Sequence, residues 1–140
     1  MKTFLSAALM IISMNINAQN DELPFKEIGE YSNEYSPNNI VARMIDGLGY
    51  RFYWATESLT DKDLNYKPSV DSRSSLQTLE HIYGLSVFIL YTFEGKEYNF
   101  SQDKMSFEEL RGGTLNNLKL PVTRFRTLPL KFCFTVPSLL

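Results

Sequence analysis

The chain has 140 residues, of which 44% are hydrophobic and 14% are aromatic. A chain of this length and composition buries enough apolar surface for one packed domain, which excludes disorder of the whole chain. The formal net charge is -2, with no excess of basic residues to attract a polyanion, so no nucleic-acid partner is expected.

Residues 1–18 have the three-part build of a secretory signal peptide. Lys2 provides the charged start, an apolar run extends from Phe4 to Met14, and the small Ala18 precedes Gln19. The alternative is a transmembrane anchor, but this run is well short of the roughly 20 apolar residues that a membrane span needs. We expect cleavage after Ala18, a secreted or periplasmic protein, and no stable membrane span in the mature chain.

The next segment, residues 19–35, is polar, contains Pro24 and Gly29, and is predicted to be an extended arm with one loose turn. Ser36 followed by Pro37 is typical of a helix start, because serine caps an amide and proline presets φ. This first helix is predicted to continue to about Ser58. Its expected core stripe follows three- and four-residue steps and comprises Val41, Met44, Ile45, Leu48, Phe52, Ala55 and Leu59.

A second long helix is predicted from about Ser75 to Phe93. Ser74 and Gln77 form a capping box at its start, and Gly95 ends it. The connection from Leu59 to Ser74 is short, which favours an antiparallel arrangement of the first two long helices. The residues expected to be buried are Leu79, Ile82, Leu85 or Ser86, Ile89 and Phe93, and His81 borders this face.

A shorter third helix is predicted after Ser106, whose side chain forms a capping box with Glu109. The pair Gly112-Gly113, or a renewed turn through Leu118, is expected to interrupt it. Residues 121–140 contain three prolines and no acidic residue, so we expect an irregular tail there and no fourth helix. A genuine β-like tail and a truncated or out-of-frame end after about residue 120 are both open. The predicted fold is an incomplete all-α, up-down bundle over residues 36–120.

The segment from Val41 to Gly95 resembles the DinB/YfiT-like superfamily of metal-binding four-helix bundles. The resemblance rests on the long first helix, the connection L-T-D-K-D-L-N-Y-K-P (59–68) and the capped helix S-S-L-Q-T-L-E-H-I-Y-G-L (74–85). Tyr66 stands where the family places a tryptophan, and His81 stands at its first metal-ligand position. The resemblance implies a divalent metal, zinc or nickel, and a metal-dependent hydrolase or thiol transferase acting on a small-molecule substrate.

The family's other ligands are two histidines four residues apart on the last helix, but His81 is the only histidine in this chain. A catalytic divalent metal generally takes three protein ligands, so we predict that the chain as written holds no catalytic metal and is inactive. Carboxylates are the alternative ligands, and the candidates are Glu80, Glu94, Glu97 and Asp103. Another interpretation of His81 is a histidine whose hydrogen bonds are satisfied at the edge of the bundle.

Two functions follow from these patterns. One is the exported DinB-like enzyme, and the other is a non-catalytic helical module that binds a partner or forms a homodimer through exposed helix faces. A third interpretation is a truncated fragment with no activity of its own. Aromatic residues of the first two long helices either line a ligand cleft between these helices or belong to the core. They are Tyr50, Phe52, Tyr53, Trp54, Tyr83, Phe88 and Tyr91.

Overall fold

The computed structural model describes residues 22–98 and 104–127, which form three long helices and one short helix. They are α1 (Pro37–Thr56), α2 (Asp61–Leu64), α3 (Ser75–Glu94) and α4 (Phe107–Thr127). These residues include no strand, so the predicted all-α class is confirmed. Within the same residues, every helix is too short or too polar to cross a bilayer. The predicted signal peptide and its cleavage site lie outside the described residues.

The starts of α1 and α3 follow from side chains that satisfy the first free amides of each helix. The Asn39 amide donates a hydrogen bond to Ser36 Oγ at 3.2 Å. At α3, the Gln77 amide donates to Ser74 Oγ at 3.1 Å, and the Ser74 amide donates to Gln77 Oε1 at 2.8 Å. Gly95, in the left-handed region with φ 65°, ends α3. The predicted helix starts and the predicted glycine stop are confirmed.

Helix α4 is the centre of the fold, because it packs against both α1 and α3. Near the end of α4, Arg126 forms an ion pair with the buried carboxylate of Asp46. Near its start, Arg111 Nε donates to Thr56 Oγ1 at 3.0 Å. Because the middle of α1 meets the end of α4 and the end of α1 meets the start of α4, the two helices are antiparallel.

Helices α3 and α4 run in the same direction. Asn117 Nδ2 donates to Ser86 Oγ at 3.0 Å, and further along both helices the Phe93 and Phe125 rings lie 5.1 Å apart. Since α4 is antiparallel to α1, α1 and α3 are antiparallel, as their short connection predicts. The predicted up-down order is wrong for the last long helix.

The last helix is also longer than the sequence predicts. It begins at the capping box of Ser106 and Glu109, as expected, but continues without a break through Pro121 to Thr127. The predicted irregular tail is therefore wrong for residues 121–127, whereas residues 128–140 lie outside the described part. A proline inside a helix costs about 3 kcal/mol, but here Pro121 is buried and Val122 is 0% exposed, so core packing offsets this cost.

The buried face of α1 is displaced by about one residue from the predicted stripe. The residues that α1 buries are Asn38, Ala42, Asp46, Gly49, Tyr53 and Thr56. Met44 and Leu48, which the stripe places in the core, are 69% and 52% exposed. The reason is that small residues such as Ala42 and Gly49 allow a close approach to α1, and that Asp46 is held by Arg126. The periodicity of apolar residues in the sequence does not predict either the close approach at small residues or the Asp46–Arg126 ion pair.

The arm before α1 supplies a core residue. Phe25 is buried with Ala42, Leu115 and Val122, and its backbone has a positive φ of 72°. Trp54 Nε1 donates to the Lys26 carbonyl at 3.1 Å, which ties the arm to the end of α1. The structure has a turn at residues 24–25 of the arm, and Phe25 in this turn belongs to the packed core, which the sequence does not predict.

Candidate functional site

His81 lies on the exposed side of α3 and lines a groove of about 820 Å³, here called the His81 groove. The sequence predicts that this histidine borders the core. Instead, α3 buries Leu79, Ser86 and Val87 against the rest of the fold. Of the alternatives Leu85 and Ser86 that the sequence offers, Ser86 is buried and Leu85 is 49% exposed. Ile89, which is predicted to be buried, is 44% exposed. Ser86 accepts a hydrogen bond from Asn117, so the face of α3 with Ser86 packs against α4. The face that carries the larger apolar side chains is exposed to solvent.

The His81 groove is formed by α3, by residues just beyond its end and by the start of α4. Its lining residues are Arg73, Gln77, Glu80, His81, Tyr83, Gly84, Leu85, Phe88, Tyr98, Lys104, Met105 and Leu110. Large apolar and aromatic walls with a few polar groups are typical of small-molecule sites, and 820 Å³ falls within their usual range of about 300–1,000 Å³.

An aromatic cluster forms one wall of the groove. Tyr98, beyond the end of α3, lies against both Phe88 and Tyr91, with ring centroids 5.5 Å and 6.3 Å away in edge-to-face geometry. Such pairs are favourable because the positive ring edge meets the negative ring face. The α1 aromatics form a separate cluster, in which Tyr50 and Tyr53 both contact Trp54. The aromatic groove is thus built around α3 and Tyr98, and the α1 aromatics do not line it.

The groove carries charges of both signs. Arg73 and Lys104 line it together with Glu80, which is the residue before His81 on α3. Leu110, which also lines the groove, follows Glu109, whose carboxylate caps the start of α4. The Ser106 amide donates to this carboxylate at 2.7 Å and thereby lowers the pKa of Glu109 below its ordinary value of 4.5. Two cationic side chains and one carboxylate leave an excess of one positive charge in this groove.

The carboxylates that the sequence offers as substitute metal ligands are not brought together around His81. Glu80 lines the same groove, but Glu94 forms an ion pair with Lys96 at 2.6 Å, and Asp103 lies outside the described residues. Across residues 22–98 and 104–127, His, Cys, Asp and Glu side chains form no group of three that suits a metal ion. One imidazole with one adjacent carboxylate does not match the three-ligand set of catalytic zinc.

Sequence reasoning found part of this site. It named His81, Tyr83 and Phe88, but it did not connect them with Tyr98 and Met105, which the chain brings back beside α3. Neither of these two residues lies in a periodic segment, so no sequence pattern marks them. Comparison with known proteins adds no relative: no protein-family model, curated protein or solved structure matches this chain.

Proposed function

We propose that this chain is an exported, DinB-like helical domain that binds a small, largely apolar molecule in the His81 groove. The observation that carries the proposal is the position of His81, since the residue that the family resemblance selects lines an aromatic-walled groove of ligand size. Leu85 and Phe88 are about half exposed in this groove and are not on the buried face of α3. Burial of these side chains by a ligand would be favourable by about 25 cal/mol per Å² of apolar surface.

Each part of the groove has a distinct role in this proposal. Phe88 and Tyr98 hold the apolar part of the ligand, because their edge-to-face pair presents a stable aromatic surface. His81 and Gln77 provide hydrogen bonds that orient its polar part, since an imidazole nitrogen can donate or accept and Gln77 Nε2 can donate while Gln77 Oε1 accepts the Ser74 amide. A ligand with one apolar body and one polar end fits this arrangement.

The metal chemistry that the resemblance implies is not part of this proposal. Zinc or nickel held by His81 would need further ligands to activate water or a thiolate, and the described residues do not supply them. We therefore assign no hydrolase or thiol-transferase step to this groove. Of the two functions that the sequence leaves open, the groove favours the binding module over the enzyme.

A binding titration with matched variants tests the proposal. The neutral fluorescent probe N-phenylnaphthylamine is expected to bind saturably at one site per chain. Leu85→Asp and Phe88→Asp should each weaken binding roughly tenfold or more, because a carboxylate in the apolar wall loses hydration when the ligand binds.

The control for these variants is Leu48→Asp, which places the same charge on α1 at a leucine of similar exposure, outside the groove. It should leave the affinity unchanged, and circular dichroism should show that all three variants keep their helices. Equal weakening by the α1 and α3 variants, or no saturable binding, would contradict the proposal.

A further inference from the structure

A second groove, of about 440 Å³, lies between the arm and α1 and is here called the arm groove. One wall is the arm segment 28–35, and the other is α1 with Ile40, Arg43, Met44, Gly47 and Arg51. Two contacts hold the arm in place along this wall. Asn39 Nδ2 donates to Ser32 Oγ at 3.1 Å and to the Glu34 carbonyl at 3.0 Å. These hydrogen bonds fix the arm segment against α1, so the groove between them is a defined part of the fold.

Positive charge is concentrated in the arm groove. Arg43, Arg51 and Arg126 line it, against one lining carboxylate, Glu34. Arg126 is paired with Asp46, but neither Arg43 nor Arg51 forms an ion pair with a carboxylate of residues 22–98 or 104–127. Two guanidinium groups thus face one glutamate, which leaves an excess of one positive charge for an anion.

The spacing along α1 leaves room between the two arginines. Arg43, Gly47 and Arg51 are four residues apart and share one face of the helix, so the middle position has no side chain. A Cβ atom at Gly47 would have one neighbour, Arg51 Nη1 at 3.8 Å, so the space above this glycine is open. Arg43 is stacked on Tyr31, 3.6 Å from the ring centroid, which fixes one of the two guanidinium groups.

Apolar side chains continue the groove beyond the arginines. Ile28, Ile40 and Met44 all line it and are all exposed, although large apolar residues are usually covered. A purely ionic ligand would leave these three side chains in water, and a purely apolar ligand would leave the guanidinium groups without a counter-charge.

We propose that the arm groove binds an amphipathic anion, whose carboxylate or phosphate head lies between Arg43 and Arg51 and whose apolar chain covers Ile28, Ile40 and Met44. A guanidinium group presents paired donors that match the oxygens of either head group. This site is separate from the His81 groove and uses none of its residues. A free fatty acid and the head group of an anionic lipid share this chemistry.

The test is a calorimetric titration of the purified protein with laurate below its micelle concentration. Binding should be saturable, and both dodecanol and acetate should bind at least roughly tenfold more weakly, because each lacks one half of the proposed ligand. Arg51→Gln should weaken laurate binding by a similar factor, since this arginine has no ion pair within the described residues to lose. Arg124→Gln, an exposed arginine of α4 outside the groove, is the matched control and should bind laurate like the wild type.

Two further measurements complete the experiment. Gly47→Leu keeps the charge but fills the space between the guanidinium groups, so it should also abolish binding while the helix content stays the same. Phosphatidylcholine vesicles with and without phosphatidylglycerol distinguish the source: vesicle binding that requires the anionic lipid and Arg51 supports a lipid head group, and laurate binding alone supports a free acid. Laurate and vesicle binding that is unaffected by Arg51→Gln, or no binding in either assay, would overturn the proposal.

Discussion

The ring of Phe25 lies directly against Gly49 of α1. A Cβ atom at Gly49 would come within 2.5 Å of Phe25 Cγ, a distance that real Cβ atoms do not tolerate. The ring is buried among residues of α1 and α4, so it cannot move aside without opening the core. A glycine in mid-helix is usually unfavourable, but here it allows the arm to close the space beside α1 and α4.

The first prediction compares two glycines of the same helix. Gly49→Ala should lower the free energy of unfolding by about 1–3 kcal/mol, because the added methyl group forces Phe25 out of its position. Gly47→Ala should raise it by up to about 1 kcal/mol, since that Cβ meets only Arg51 at 3.8 Å and alanine favours the helix. Urea denaturation of the three proteins measures both effects, and destabilisation of similar size in the two variants would contradict this packing.

The second prediction concerns the end of α4, where the sequence predicts an irregular tail. The Asp46 side chain is 7% exposed and is paired with Arg126, so Arg126→Gln would leave a buried carboxylate without its counter-charge. We expect this variant to lose about 1–3 kcal/mol of stability. Arg124→Gln, on the same turn but without an ion pair to a carboxylate of residues 22–98 or 104–127, should cost less than about 0.5 kcal/mol. Equal stability of the two variants by thermal denaturation would show that α4 is not anchored at residue 126.

The third prediction concerns acid stability. Hydrogen bonds from Thr60 lower the pKa of Asp63 below its ordinary value of 3.8, and Ser106 lowers the pKa of Glu109 below 4.5. A carboxyl group with a lower pKa in the folded state stabilises the fold above its unfolded pKa. This contribution is lost as the pH falls through the folded pKa. Stability should therefore decline below about pH 4.5, and the double variant Asp63→Asn/Glu109→Gln should show a shallower decline. Identical pH profiles would contradict the role of these caps.

The fourth prediction concerns metals. Calorimetric titration with zinc or nickel should show no one-to-one binding at micromolar affinity or tighter, because His81 and Glu80 alone lack the chelate geometry of a three-ligand site. His81→Ala is the control and should give the same result as the wild type. Tight binding that disappears in this variant would instead indicate ligands from a second subunit or from residues outside the described part.

Much of the helical framework was predictable, because its starts depend on local chemistry. The capping serines Ser36, Ser74 and Ser106 fixed three helix starts from short patterns alone. The end of α4 was not predictable in the same way. Pro121 disfavours a helix locally, and only its burial in the assembled core shows that the helix continues.

The site was predictable to a smaller extent. The resemblance selected His81, but the groove around it depends on which face of α3 is buried. That choice is made by contacts with α4, where Gly113 lets Tyr83 approach so closely that a Cβ there would lie 2.6 Å from the ring. Such contacts join residues far apart in sequence, and apolar periodicity does not encode them. The signal peptide, the homodimer and the DinB-like relationship itself stay predictions.

The most direct test of the proposed binding function uses the fact that His81 is the only histidine in the chain. With ¹³C-labelled histidine, the imidazole Cε1–H group gives one unambiguous NMR signal that reports on the groove. The account predicts that this signal shifts saturably as N-phenylnaphthylamine is added, with the same midpoint as the fluorescence titration. A signal that stays unchanged while the fluorescence saturates would show that the molecule binds elsewhere, and would contradict the assignment of the His81 groove as the ligand site.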